Sequence, residues 1–586
     1  MTGSAEPHVN PPRPFDDESV TDALFRRWYP DVCPAPEEGV FEIGLVLAGA
    51  VSAGAYTAGV MDFLFQALDA WNAAKKAGED VPRHSVRLRV IAGASAGGIN
   101  GAIAAAASRY EFPPATEASG PGDLAANPFY DTWVRRVRIE DLLDTSDLDG
   151  GGELRALLNC SSLREIANGA IDFSGPAADP EVRAWLADPL RLALTVTDLG
   201  GVPYAVRFSG GSGLSHEMTM HSDHLEFGAP VFQAPGADDL PPDVMQLSLR
   251  NGRGERGWPE LASAALATSA FPLALEAPQI GRQPTDYEYR FAYMTGQGEK
   301  ICALPWPPPL ERQPIHRFWA VDGGTMNNEP FDVAHTILAG RKGENPRTGD
   351  AAVRAIVMVD PFSDMAGENS KVGPTLPSQA SALLRAFKAQ TRFKQIDLSL
   401  AQAADVYSRF LVSPTRGDHR GAAAIASGGL GGFFGFFDEA FRHHDFMLGR
   451  RNCQRFLRDW FVLPAANPVV AGSGAGFLSR ADARSGHAQI VPLVGAAAEN
   501  VPRPAWPDGA FGGWSAVGGR VERRLDRVYR TIRDATVASL AGGSRFREAI
   551  IRAYIWLAWK LTGRSKIVSF LRDTIDRETR KLTTLR

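Results

Sequence analysis

Gly93-Ala94-Ser95-Ala96-Gly97 sets a serine two residues from a glycine on either side. A β-type run, Leu88–Ile91, enters this pentapeptide, and an Ala-rich helical run leaves it. Strand, sharp turn and helix around Gly-x-Ser-x-Gly is the setting of a nucleophile elbow. Such a turn forces strained backbone angles on the serine. The residues two before and two after it crowd each other, so Gly93 and Gly97 relieve a clash. The Ser95 hydroxyl then stands at a helix N-terminus, where free N–H groups and the helix dipole favour negative charge. A hydrolase working through an acyl-enzyme needs that arrangement. With 59 glycines in the chain, a chance match to the pattern is also unsurprising. The elbow therefore needs partners.

Two further stretches supply them. In Ile43–Val60 (IGLVLAGAVSAGAYTAGV) a strand runs into a Gly/Ala-rich turn and then a helix start. A small-residue turn opening a helix presents several backbone N–H groups that can face a developing oxyanion, which acyl transfer requires; the plain alternative is a tight connection. In Trp319–Pro330 (WAVDGGTMNNEP) a strand ends at Asp322. Acids at the carboxyl ends of strands in open α/β sheets face the ligand crevice. Asp322 can serve as base toward Ser95 within hydrogen-bond reach, or simply cap its own Asp-Gly turn. Ser52 sits in a similar small-residue turn, and Asp198 and Asp360 also end strand-like runs. His216, His221 and His224 cluster near Asp223 without a metal-ligand spacing. His443-His444-Asp445 lies in an aromatic run with helical spacing, which reads as core packing with a polar outer face. A Ser-His-Asp triad stays open, because its order along the chain differs between folds.

The elements that must position these residues alternate between strand and helix. Ile43–Leu47, Leu88–Ile91, Leu192–Val196, Phe318–Val321 and Val353–Val359 read as strands. Tyr56–Lys76, Gly98–Ser108, Ser381–Phe410 and Phe437–Phe461 read as helices. Near-continuous apolar strands between helices predict an α/β sheet covered on both faces. Ser209–Pro241 and Gln279–Pro314, rich in Gly, Pro and polar residues, read as long loops. The chain divides into an irregular lead-in at 1–38, a main domain at 39–462, a Gly/Pro-rich connector at 463–519 and a basic helical segment at 520–586.

Taken together, the glycine-rich loop after the first strand, the elbow at Ser95 and the Asp322-Gly323-Gly324 turn resemble the patatin-like phospholipase family. The resemblance covers roughly 41–461. Ala267-Thr268-Ser269-Ala270-Phe271-Pro272 looks like the family's small-residue segment, and Asn328 and Pro330 follow Asp322 as in its Asp-Gly-Gly turn. The resemblance implies a three-layer α/β/α sandwich with a central, mostly parallel sheet, here followed by a C-terminal helical extension. It implies a Ser95–Asp322 dyad without histidine and an oxyanion hole around Gly49–Val51. It also implies hydrolysis of acyl esters in phospholipids or lysophospholipids, with no cofactor and no metal. One departure stands out. The family loop reads Gly-Gly-Gly-x-Arg-Gly, whereas this chain has Gly49-Ala50-Val51-Ser52-Ala53-Gly54. Two glycines carry side chains and the arginine is absent, and the loop looks closer to a variant with a serine and a tyrosine, here Ser52 and Tyr56. Backbone N–H groups survive such changes if the required angles tolerate a Cβ. A non-catalytic lipid-binding relative and a lipid transacylase therefore stay open beside the hydrolase.

The bulk numbers agree with a globular protein. The chain has 586 residues, 44% apolar and 22% charged, with a net charge of −5, which does not indicate a nucleic-acid binder. Its four scattered cysteines suggest neither a zinc site nor a disulfide framework, and fit a reducing compartment. The polar N-terminus reads as lacking a signal peptide, and no apolar run approaches the ~20 residues of a spanning helix. A cytoplasmic protein touching membranes only peripherally is expected. Residues 520–586 hold 17 Lys and Arg against 7 Asp and Glu, with Trp and Tyr interleaved. Such a segment suits either an anionic membrane or an acidic patch of its own catalytic domain.

Overall fold

The computed structural model describes residues 26–585 apart from 150–152, 208–214, 235, 237–238, 290, 295–296, 301–314, 342–345, 364–378, 380–405, 508–510 and 542–544. Strand β1 (Val40–Leu47) is buried along its whole length, as a strand covered on both faces must be. Its side chains alternate. Ile43, Leu45 and Leu47 enter the main core, and Val46 enters a smaller cluster on the opposite face.

Eight more strands complete one sheet: β2 (Ser85–Gly93), β3 (Leu186–Arg207), β4 (Ser215–Ala229), β5 (Val244–Gln246), β6 (Gln279–Arg282), β7 (His316–Asp322), β8 (Arg354–Val359) and β9 (Arg409–Val412). The order is β9-β8-β1-β2-β3-β4-β5, with β7 also on β3 and β6 on β7. From β9 to β3 every neighbour is parallel. β4 and β7 run antiparallel to β3.

Helices α1 (Gly54–Lys76), α2 (Ala96–Ala107), α3 (Ser161–Ile171), α4 (Trp258–Thr268), α5 (Phe331–Ala339) and α6 (Glu439–Asp459) flank the sheet. α1, α2, α4 and α6 share the core with Leu45 and Leu192. α5 packs Phe331, Ala334 and Leu338 on Val46, Val90 and Ile356 from the other side. The expected three-layer sandwich is formed. α1 and α6 cross at backbone contact. A Cβ on Gly59 would lie 1.9 Å from the Phe446 carbonyl oxygen, and one on Gly449 2.1 Å from that of Tyr56.

Three expectations change. The loop expected at Ser209–Pro241 contains β4, whose Ser, His, Asp and Glu content conceals a strand paired along β3. The one expected at Gln279–Pro314 contains β6 and a hairpin of Phe291–Met294 with Gln297–Lys300. Most of the helix expected at Ser381–Phe410 lies outside the described residues, and its end belongs to β9, which pairs in parallel with β8.

After α6, the expected connector forms a short hairpin with Val462–Pro464 (Val462–Pro464 against His487–Gln489). Three helices follow: α7 (Trp514–Ala541), α8 (Arg545–Ala558) and α9 (Arg564–Thr584). Arg524 docks α7 on the body by donating to the Leu157 carbonyl at 2.8 Å and the Asp144 carbonyl at 2.6 Å, and it pairs with Asp147. Arg527 reaches Asp149 at 2.6 Å. Part of the basic charge is thus spent on an acidic patch of the body.

Candidate active site

Ser95 has φ 53° and ψ −125°, a region that residues with a Cβ seldom occupy. The neighbouring glycines explain how the turn closes. A Cβ on Gly93 would lie 2.6 Å from the backbone of Gly97 and Gly98. One on Gly97 would lie 2.0 Å from the Leu47 carbonyl oxygen, so the end of β1 is the tighter obstacle there. The Ser95 amide donates to Thr268 Oγ1 at 2.9 Å.

β3 brings the acid to the serine. Gly93, the last residue of β2, lies opposite Leu194, and Asp322, the last residue of β7, lies opposite Val196. Val196 and Thr197 pair with β4 on their other edge. β2 and β7 therefore lie on the same edge of β3 and end facing each other, offset by two β3 residues, or ~7 Å. Ser95 and Asp322, each only 6% exposed, line one cavity. Asp322 Oδ1 accepts the Gly324 amide at 2.7 Å, and the Asp322 amide donates to the Ala270 carbonyl at 2.9 Å. Thr268 and Ala270, at the end of α4, thus hold the backbones of both residues. Sequence reasoning noticed this segment but not its role.

The loop after β1 approaches the same cavity. Val51 lines it with φ 52°, a strained conformation for a β-branched residue. Among the described residues the amides of Ala50 and Val51 have no hydrogen-bond acceptor. Gly49 differs from expectation, because its amide is turned to the Asn328 carbonyl at 3.4 Å. Its α-carbon still needs to be bare: a Cβ would lie 3.0 Å from Ser95 Cβ and 2.5 Å from Asn328 Oδ1.

A second wall comes from late in the chain. Gly421–Phe437 straps across the β1 loop, with Leu430, Gly431 and Gly432 all at positive φ. The Ser52 hydroxyl donates to the Gly432 carbonyl, and the Asp445 carboxylate accepts the amides of Ala426 and Ser427 at 2.7 and 2.9 Å. Phe433 and Phe436 reach the cavity, and Phe433 meets Phe271 edge-on with ring centroids 5.4 Å apart. Phe434–Phe437 forms a short 3-10 turn, so the helix expected from Phe437 begins at Glu439. Ile99, Ile103, Ile166 and Leu275 make the rest of the lining predominantly apolar.

The rival residues have other work. Ser52 is fully buried in the strap contact. The Tyr56 hydroxyl donates to Asn452 Oδ1 at 3.1 Å, and burial pushes its phenol well up. Asp198 accepts the amides of Gly200 and Gly201 and faces His316 at 2.8 Å. Asp360 Oδ1 accepts the Phe362 amide. His443 meets the Tyr130 hydroxyl, and His444 meets Asp445. Neither histidine lines the cavity of Ser95. His221 and His224 contact the Asp198 carbonyl and Glu226, and among the described residues no His, Cys, Asp and Glu group is arranged as a metal site.

A family model described as patatin-like phospholipase matches residues 45–181. The chain belongs to the patatin-like phospholipase family. An uncharacterised protein, y4iI, of Sinorhizobium fredii (strain NBRC 101917 / NGR234) is 34% identical to it, over 92% of this chain and 81% of that protein. In this patatin-like chain the matched stretch contains Gly49–Val51 and the Ser95 elbow, while Asp322 and the strap lie beyond it.

Proposed function

We propose that this patatin-like protein is a serine hydrolase of lipid acyl esters, acting on phospholipids or lysophospholipids through Ser95 and Asp322. The observation that carries the reading is the shared cavity. A hydroxyl and a carboxylate from residues distant in the chain line one cavity whose remaining lining is mostly apolar, with Thr132 and Ser269 as the other hydroxyls, which suits an acyl chain held beside a reacting ester.

Ser95 Oγ attacks the ester carbonyl while Asp322 takes its proton. The amides of Ala50 and Val51, at the positive end of the small-residue turn, bind the oxyanion. Collapse of the tetrahedral adduct breaks the ester C–O bond, and the leaving alcohol takes the proton from Asp322. Water, deprotonated by Asp322, then attacks acyl-Ser95. The carboxylic acid leaves, and the proton returns to Ser95. The Val51 conformation favours this over a non-catalytic lipid binder, since the side chain at the former glycine position has not pulled the backbone out of the left-handed region. A transacylase would use the same residues with an alcohol in place of water.

A fluorophosphonate probe should label Ser95, and Ser95→Ala should abolish both labelling and turnover across a lipid panel. Asp322→Asn should lower kcat about 10²–10⁴-fold. Labelling that persists in Ser95→Ala would end this assignment. Added alcohol acceptors would reveal transfer as ester products.

A further inference from the structure

The outward face of α8 is apolar. Ile550, Trp556 and Leu557 are 54%, 45% and 47% exposed, and with the exposed Ala549 and Ala553 they follow i, i+3, i+4, i+7 spacing, which makes one stripe. This is not the face that α8 packs inward. The helix pair has its own seam, where Tyr529 stacks on Trp559 with ring centroids 4.3 Å apart and Arg552 reaches Asp534 at 3.3 Å. The stripe is additional apolar surface, and a contiguous one rimmed by polar groups marks an interaction site. Cations flank it. Arg547 and Lys560 are exposed, and the Lys560 ammonium lies 4.8 Å from the Trp556 ring centroid. From Arg545 to Arg572 the chain has seven Lys or Arg and one acid, Glu548; of the seven, Arg552 pairs with Asp534 and Arg564 with Glu522 and Asp526 on α7.

We propose that the outward face of α8 docks the protein on an anionic lipid surface, with the helix lying in the interface plane. Among the described residues no helix is long and apolar enough to cross a membrane. Trp at the level of the headgroups, aliphatic side chains below and Lys or Arg beside them is the pattern of an interfacial helix. Each cation near an anionic leaflet adds attraction. A second copy of the chain fits less well, because stripe-to-stripe pairing would bring the same cationic rims together. The docking concerns where the protein sits and is independent of the dyad.

The test is co-flotation of the full-length protein with vesicles of phosphatidylcholine alone or mixed with phosphatidylglycerol, at low and high salt. Binding is expected only to the mixed vesicles and should weaken with salt. I550S/W556S/L557S should weaken binding at least tenfold, by a rough count of the apolar area removed. R547Q/K560Q should weaken it by about tenfold or more. Both variants should hydrolyse a water-soluble short-chain ester as the parent does, which also reports that they fold. Three results would overturn the proposal: no binding of the parent to anionic vesicles, unchanged binding of the serine variant, or light scattering showing a dimer that the serine variant dissolves.

Discussion

Val51 and Gly49 make opposite demands on substitution. Val51 holds φ 52° with a branched side chain, at a cost of ~1–2 kcal/mol. Val51→Gly removes that strain and adds ~0.5–1 kcal/mol of unfolded-chain entropy. Stability should therefore change by no more than about 1.5 kcal/mol, and turnover by no more than a few-fold. Gly49→Ala puts a Cβ against Ser95 and Asn328 and should remove most fluorophosphonate reactivity. Labelling rates of the two variants check the pair, and equal loss in both would show that the loop is not placed as described. Thr268 acts through the Ser95 backbone. Thr268→Val leaves a buried amide unpaired, a cost of ~1–3 kcal/mol. It should lower kcat much more than it raises KM, and Thr268→Ser should restore it. Ser95 was legible because its signal is local, five residues between a strand and a helix. Asp322 was legible as an acid ending a strand. Thr268 was not, because its role comes from a contact between positions 173 apart in sequence.

Elements were legible where burial on both faces writes a continuous apolar run, as in β1, or a long stretch without Pro or strand-breaking turns, as in α1, which is buried on nearly every side. β4 escaped notice because its buried Asp223 reads as a loop residue. In the fold it is satisfied by Arg282 Nη1 at 3.2 Å and the Tyr287 hydroxyl at 3.0 Å. The strap escaped notice for a different reason. Its conformation is dictated by Asp445, which lies on α6 and caps two strap amides. Asp445→Ala would strand those buried amides and should cost about 2–4 kcal/mol. It should also weaken hydrolysis of long-chain esters more than that of short ones, because Phe433 and Phe436 lose their support. Urea unfolding and a chain-length series of esters read both effects, and equal loss for all chain lengths would contradict the strap's role as cavity wall.

The whole molecule carries a pH dependence in His84, wedged between α1 and the segment after the late hairpin. Its Nε2 meets the Ile490 carbonyl at 2.9 Å, and its ring packs 4.8 Å from that of Trp71. Burial, which outweighs that hydrogen bond, lowers its pKa from the usual 6.5 to about 4. His335 is shifted down to about 4 as well, again chiefly by burial. Between these values the unfolded chain binds more protons than the folded one, so stability falls as pH falls. The His84 contribution is complete above about pH 6.5 and is lost as pH drops through 4, a change of roughly 3 kcal/mol. Tm should decline over that window, and His84→Gln should flatten the decline. A Tm independent of pH there would contradict the burial of both rings.

The strap also imposes an order in time. Translation delivers Ser95 early, but Gly432, Phe433 and the Asp445 clamp emerge only after most of the polypeptide. Until they arrive, the cavity around Ser95 lacks the part of its wall that Phe433 and Phe436 supply. On the proposed reading, a growing chain would complete its acyl pocket only after about three-quarters of its residues had been joined.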